Sequence, residues 1–105
     1  MPADVSQKKL GLLLSCGTSQ PNFRHGLRLA ETAIQRGVMV YLYLIDEAVP
    51  GIDDARIQSL RSQGLHLFAC ALGARKRNLV TDDRATWVGL DHFARADDPM
   101  AQALE

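Results

Sequence analysis

The unbroken apolar run Val38-Met39-Val40-Tyr41-Leu42-Tyr43-Leu44-Ile45 dictates the architecture. It shows no polar alternation and is rich in β-branched and aromatic residues, so it suits a strand covered on both faces. Strands of that kind belong to parallel sheets, and parallel strands need crossover segments between them.

The flanking segments supply those crossovers. Phe23, Leu27, Ala30 and Ile34 recur at helical spacing, with Asn22 or Ser19 as the expected cap and Gly37 as the C′ stop. Before this helix, Leu10 to Leu14 form a short apolar strand, and Ser15 to Pro21 read as a loop. After the long run, Asp46 to Gly51 read as a loop. A second helix is expected from about Asp53 to Gln63, with Asp53 as N-cap, Ile52 and Ile57 as a hydrophobic staple, and Gly64 as its end. Leu65 to Cys70 form a third strand, completing a βαβαβ alternation. Leu72 to Thr81 are expected as a loop or short helix carrying Arg75-Lys76-Arg77. Thr81, Asp82 or Asp83 then cap a further helix whose face holds Trp87, Leu90 and Ala94, stopped by Pro99. The expected organisation is a loose tail at residues 1–8, one domain at 9–98 and a second tail at 99–105.

Length and composition restrict the function classes. A chain of 105 residues holds one domain, and 47% hydrophobic with 23% charged residues is ordinary for a globular protein. Twelve basic residues cancel twelve acidic ones, which argues against nucleic-acid or membrane-surface binding by bulk charge. Two cysteines do not make a disulfide scaffold, and no CxxC or Cys/His spacing suggests a metal. No apolar run approaches the roughly 20 residues of a membrane span. Leu13-Leu14-Ser15-Cys16 superficially fits a lipoprotein cleavage site, but Leu10 to Leu14 are too short for a signal core. The expectation is a cytoplasmic protein with reduced thiols, and its small core favours oligomerisation.

Chemistry is sought beyond the carboxyl ends of the strands, where open parallel sheets place their sites. Cys16, the pair Asp46-Glu47 and Cys70 all fall there. A cysteine at that edge faces the start of the next helix, where backbone N–H groups and the helix dipole favour thiolate. Arg75, Lys76 and Arg77 follow Cys70 closely, and His25 lies early in the first helix. Each has a plainer reading: a free cysteine is often a small buried hydrophobe, and the basic triplet a solvated loop. Asp46-Glu47 form an acid/base pair or simply solubilise a loop; Asp53-Asp54 and Asp82-Asp83 suit capping. His66 and His92 have no partner by spacing. Gly17-Thr18-Ser19 complete neither common phosphate-binding glycine motif, so no nucleotide or flavin cofactor is expected.

Taken together, several segments resemble a known family. They are the helix Leu27 to Gly37, the strand directly after it, the Gly64-Leu65 pair, Leu67-Phe68-Ala69-Cys70-Ala71 and the basic loop Arg75-Lys76-Arg77-Asn78-Leu79. This set is similar to the DsrE/DsrF-like sulfur-relay proteins, which include the TusD-like subunits, over roughly residues 9 to 98. The resemblance implies a three-layer α/β/α sandwich around a mainly parallel sheet of four to five strands. It also implies that Cys70 is the cysteine that accepts sulfane sulfur as a persulfide and passes it on, acting as a sulfurtransferase-like carrier. Arg75, Lys76, Arg77 and His25 would stabilise the thiolate or dock a partner. Partners would be small sulfur-carrier proteins or persulfide donors and acceptors, within a homo- or hetero-oligomer, with no cofactor and no metal.

Two features depart from the family pattern. Ala96 to Glu105 do not read as the closing strand, and Cys16 is not part of the motif. In a 2-1-3 strand order Cys16 and Cys70 approach the roughly 4.4–6.8 Å Cα spacing of a disulfide; with strand two between them they do not. A two-cysteine redox protein and a binding or assembly module with inert thiols therefore stand as alternatives.

Overall fold

The computed structural model describes residues 8–89. The expectations for residues 1–7, for Leu90, His92 and Ala94, for the Pro99 stop and for the 99–105 tail lie outside the described residues. Strand β1 (Lys9–Leu14) leads through α1 (Pro21–Gln35) to β2 (Met39–Leu44). Helix α2 (Ala55–Ser62), β3 (His66–Cys70), the short α3 (Ala71–Lys76) and β4 (Thr86–Val88) follow. The four strands form one all-parallel sheet in the order β1-β2-β3-β4. The expected α/β fold is present, and its arrangement is compatible with a three-layer α/β/α sandwich.

The strand order governs the layers. A chain that adds each new strand on the same side, through right-handed crossovers, sends its crossovers to one face. Accordingly α1 and α2 share one core. Phe23, Leu27 and Ala30 of α1 and Ile57 and Leu60 of α2 pack with Val40, Leu42 and Leu44 of β2. Leu67 and Ala69 of β3 join the same side. The alternate strand positions, Tyr41, Tyr43, Phe68, Cys70 and Val88, form a second cluster on the opposite face. The order of the described strands never reverses, so they contain no topological switch point, the usual ligand crevice of an open α/β sheet.

Each helix is stopped in the same way. Gly37 at φ 83°, Gly64 at φ 114° and Asn78 at φ 55° follow α1, α2 and α3 in the left-handed conformation. The next residue's N–H reaches back across the turn in every case: Val38 to the Ala33 carbonyl, Leu65 to Leu60 and Leu79 to Ala74, at 2.9 to 3.0 Å. This is the Schellman arrangement, and it turns an apolar residue back toward the core. The Gly37 and Gly64 stops are as the sequence suggests.

Other local expectations are corrected. Neither Asn22 nor Ser19 caps α1; Gln20 occupies the cap without a side-chain bond, and Pro21 supplies the preset first turn. Asp54, not Asp53, caps α2, its carboxylate accepting from the Arg56 N–H at 2.9 Å. The Asp46–Asp53 connection is a 3-10 helix rather than an irregular loop. Asp46 opens it at φ 49°, a conformation that Asp tolerates better than most residues. Trp87 does not begin a helix: it sits in β4, which pairs with β3 through Ala69 opposite Trp87 and Cys70 opposite Val88. The preceding turn is tied down by Trp87 Nε1 donating to the Asp82 carbonyl at 2.8 Å and Arg61 donating to the Asp83 carbonyl at 3.1 Å.

Candidate functional site around Cys70

Because all strands run parallel, Cys16, Asp46, Glu47 and Cys70 emerge at one edge of the sheet, as the sequence implies. They do not form one cluster. Cys16 packs against the core beneath α1 and α2, whereas Cys70 belongs to the Tyr41–Tyr43 cluster on the other face. Strand β2 also lies between their strands. Two strand spacings amount to about 9–10 Å, beyond the reach of a disulfide. Both cysteines are free and half-buried.

Cys70 ends β3 and caps α3 at the same time. Its backbone is still extended (φ −70°, ψ 116°), and its sulfur accepts the Gly73 N–H at 3.3 Å. The turn is tight. A Cβ at position 73 would lie 3.1 Å from Val49 Cγ2, 3.5 Å from Cys70 Cβ and 3.6 Å from Arg77 Nη1. Glycine therefore keeps the turn clear of the Val49 methyl, while the distance to Cys70 is ordinary contact.

Of the basic triplet, only Arg77 turns back over this loop. It donates to the Gly73 carbonyl at 3.2 Å and to Glu47 Oε1 at 2.7 Å. The guanidinium is 27% exposed and Glu47 is 74% exposed, so the ion pair itself adds at most about 1 kcal/mol. Its effect is positional: it ties the segment after β2 to the one after β3. Arg75 and Lys76 are exposed in the last turn of α3 and form no ion pair among the described residues. His25 is exposed on α1, in the layer across the sheet from Cys70, so it does not join this site.

The sequence reading missed two features of this site and one contact at the far end of β3. Glu47, read at this edge as half of an acid/base pair or as a solubilising carboxylate, is the partner of Arg77. Gly73 stands three residues after Cys70, the cap-to-third-residue spacing that signals a side-chain N-cap. His66, without a partner by spacing, stacks on Tyr41 across the β2–β3 pair, with ring centroids 4.6 Å apart.

Around Cys16 the fastening is different. Arg56 donates to the Thr18 carbonyl at 3.3 Å and grips both oxygens of Asp54 at 2.8 and 3.0 Å. Its guanidinium also sits 5.5 Å from the centroid of the Phe23 ring. These hydrogen bonds hold the Asp54 carboxyl below the usual carboxylate range. The cysteine sulfur has no place in that network; Cys16 serves as apolar packing.

No group of three or more metal-ligating side chains occurs among the described residues, and no described helix is long and apolar enough to cross a membrane. Comparison with protein-family models and with curated proteins found no match. The class that fold and site define is a small parallel α/β protein with two half-buried thiols at the carboxyl edge of its sheet, one of which accepts a backbone amide in a turn that an arginine also bonds.

Proposed function

We propose that the protein is a cytoplasmic sulfur carrier that loads sulfane sulfur on Cys70 and delivers it to a partner thiol. The observation that carries this reading is the Cys70 sulfur itself: half-buried at the sheet edge, it accepts the Gly73 N–H with Arg77 folded over the same turn. A hydrogen bond from an amide is stronger to an anionic sulfur than to a thiol, so this turn suits a nucleophile.

In the loading step the Cys70 thiolate attacks the outer sulfur of a donor persulfide. The donor S–S bond breaks, its electron pair leaves on the donor thiolate, and Cys70 becomes the persulfide. Delivery is the same exchange with an acceptor thiolate attacking the outer sulfur on Cys70. No external oxidant, reductant or cofactor is required in either direction. Donor and acceptor would be small sulfur-carrying proteins. Assembly with copies of itself or with related subunits would suit a chain of this size. The resemblance to DsrE/DsrF-like relay proteins supports the same assignment of Cys70.

Intact mass after incubating the reduced protein with a sulfane-sulfur donor tests the proposal. Wild type and Cys16→Ser are expected to gain one or more sulfur atoms, and Cys70→Ser none. Full loading of a folded Cys70→Ser would overturn it. No loading of any form, with both thiols slow to alkylate, would favour a binding or assembly module.

A further inference from the structure

A groove of about 350 Å³ runs between α1 and α2, across the sheet from Cys70. Leu27 and Leu60 lie at its base, each about 5% exposed, so it offers little apolar area. Its rim is cationic: Arg24 and Arg28 from α1 and Arg56 from α2. Arg56 is already neutralised by Asp54. Arg24 and Arg28 form no ion pair among the described residues, although Glu31 stands one turn further along the same groove.

This placement is unfavourable for α1 taken alone. Two like charges four residues apart repel, at a cost of about 0.2–0.5 kcal/mol. The first turn of α1 carries no acidic residue, and Arg24 places a cation where the helix dipole favours an anion. The chain as a whole has zero formal net charge, so this is local asymmetry rather than general basicity. Local conflicts of this kind are expected where a sequence serves binding rather than folding.

We propose that the α1/α2 groove docks an acidic segment of a partner protein, with two carboxylates meeting Arg24 and Arg28. The dimensions fit a short stretch of chain. Arg24 to Arg28 spans one helical turn, about 5–6 Å, close to the 6–7 Å between alternate side chains of an extended peptide. On the α2 side Gln63 Nε2 donates to Ser59 Oγ at 3.4 Å, which leaves the Ser59 hydroxyl proton and the Gln63 side-chain carbonyl for the peptide backbone. A free phosphate or carboxylate would find only solvated arginine side chains and no convergent backbone donors. Glu31 at the far end would repel a third acidic residue and set the direction of the bound segment. Binding of this kind is driven by charge, so it is modest and sensitive to salt. The groove stands independently of any chemistry at Cys70.

Amide chemical-shift mapping with a synthetic end-capped Glu-Ala-Glu-Ala-Ser peptide, which carries only the two carboxylates at alternate positions, tests the inference on the intact chain. The expected shifts at low salt are confined to the α1 and α2 residues that line the groove, and they fade at about 0.5 M salt. Arg24→Glu with Arg28→Glu should weaken binding at least tenfold, while Arg75→Glu with Lys76→Glu should leave it unchanged. Arg24→Gln with Arg28→Gln serves if charge reversal perturbs the fold. Shifts centred on Arg75 and Lys76, or no shifts at about 1 mM peptide, would overturn the proposal. So would inorganic phosphate producing the same shifts at the same concentration, because the groove would then be a simple anion site.

Discussion

Each of the two cysteine loops is fastened by one arginine, and the two fastenings differ. Beside Cys16, two bonds to the α2 cap Asp54 hold Arg56 in place, one bond from Arg56 to the Thr18 carbonyl holds the loop, and the sulfur is left as packing. Beside Cys70, Arg77 ties the turn to the exposed Glu47, and the sulfur itself takes a backbone amide. Similar position at the sheet edge therefore does not imply similar chemistry. What distinguishes the two is whether the sulfur or the surrounding backbone receives the hydrogen bonds.

The separation of the loops gives the sharpest contrast. Oxidation of dilute protein with a mild thiol oxidant is expected to give no intramolecular Cys16–Cys70 bridge, because β2 and the sheet itself stand between them. A faster-migrating monomer on a non-reducing gel, lost in either single serine variant, would break the comparison and restore the redox reading.

Next in size is Gly73→Val. Its Cβ would crowd Val49 Cγ2 at 3.1 Å, and the added methyls would push α3 away from Cys70. Overpacking of this kind costs about 1–3 kcal/mol. Denaturant unfolding should show that loss, and sulfur loading should slow. Unchanged loading would mean that the Gly73 amide does not serve the sulfur.

The two arginine fastenings supply the smallest and most discriminating pair. Asp54→Ala removes a cap and an ion pair and should cost about 1 kcal/mol. Asp54 has a folded pKa depressed below its ordinary 3.8, so its stabilisation is full above that value and is lost as the pH falls through the folded pKa. Unfolding followed from neutral pH to about pH 2.5 should therefore lose part of its acid sensitivity in Asp54→Ala. Arg77→Ala removes only an ion pair to a mostly exposed carboxylate and one carbonyl contact, so stability should fall by less than about 1 kcal/mol. Its loading rate should fall more than that of Asp54→Ala; the reverse order would place the functional loop at Cys16.

Much of the scaffold was legible because it is written locally. The Val38–Ile45 run is apolar at consecutive positions, and its core, Val40 to Leu44, is buried throughout. Phe23, Leu27 and Ala30 mark the inward stripe of α1, while Gly37 and Gly64 mark the left-handed stops. The fourth strand was not legible. Thr86-Trp87-Val88 is three residues long, too short to show a period of two, and the spacing of Trp87 to Leu90 mimics a helix. At the site, Cys70, the basic triplet and Glu47 were readable from position; the Arg77–Glu47 pairing was not, because its partners lie 30 residues apart and nothing local marks the pair.

The sequence by itself determined the alternation of strands and helices, the ends of the helices and the presence of both thiols at one sheet edge. These depend on periodicity, glycine and chain direction, which act over a few residues. Only the tertiary structure decided that β2 separates the two cysteines, that they occupy opposite faces, and that Arg77 rather than Arg75 or Lys76 ties the turn after Cys70 to Glu47. Those outcomes depend on strand order and register, which are set by pairing between segments distant in the chain.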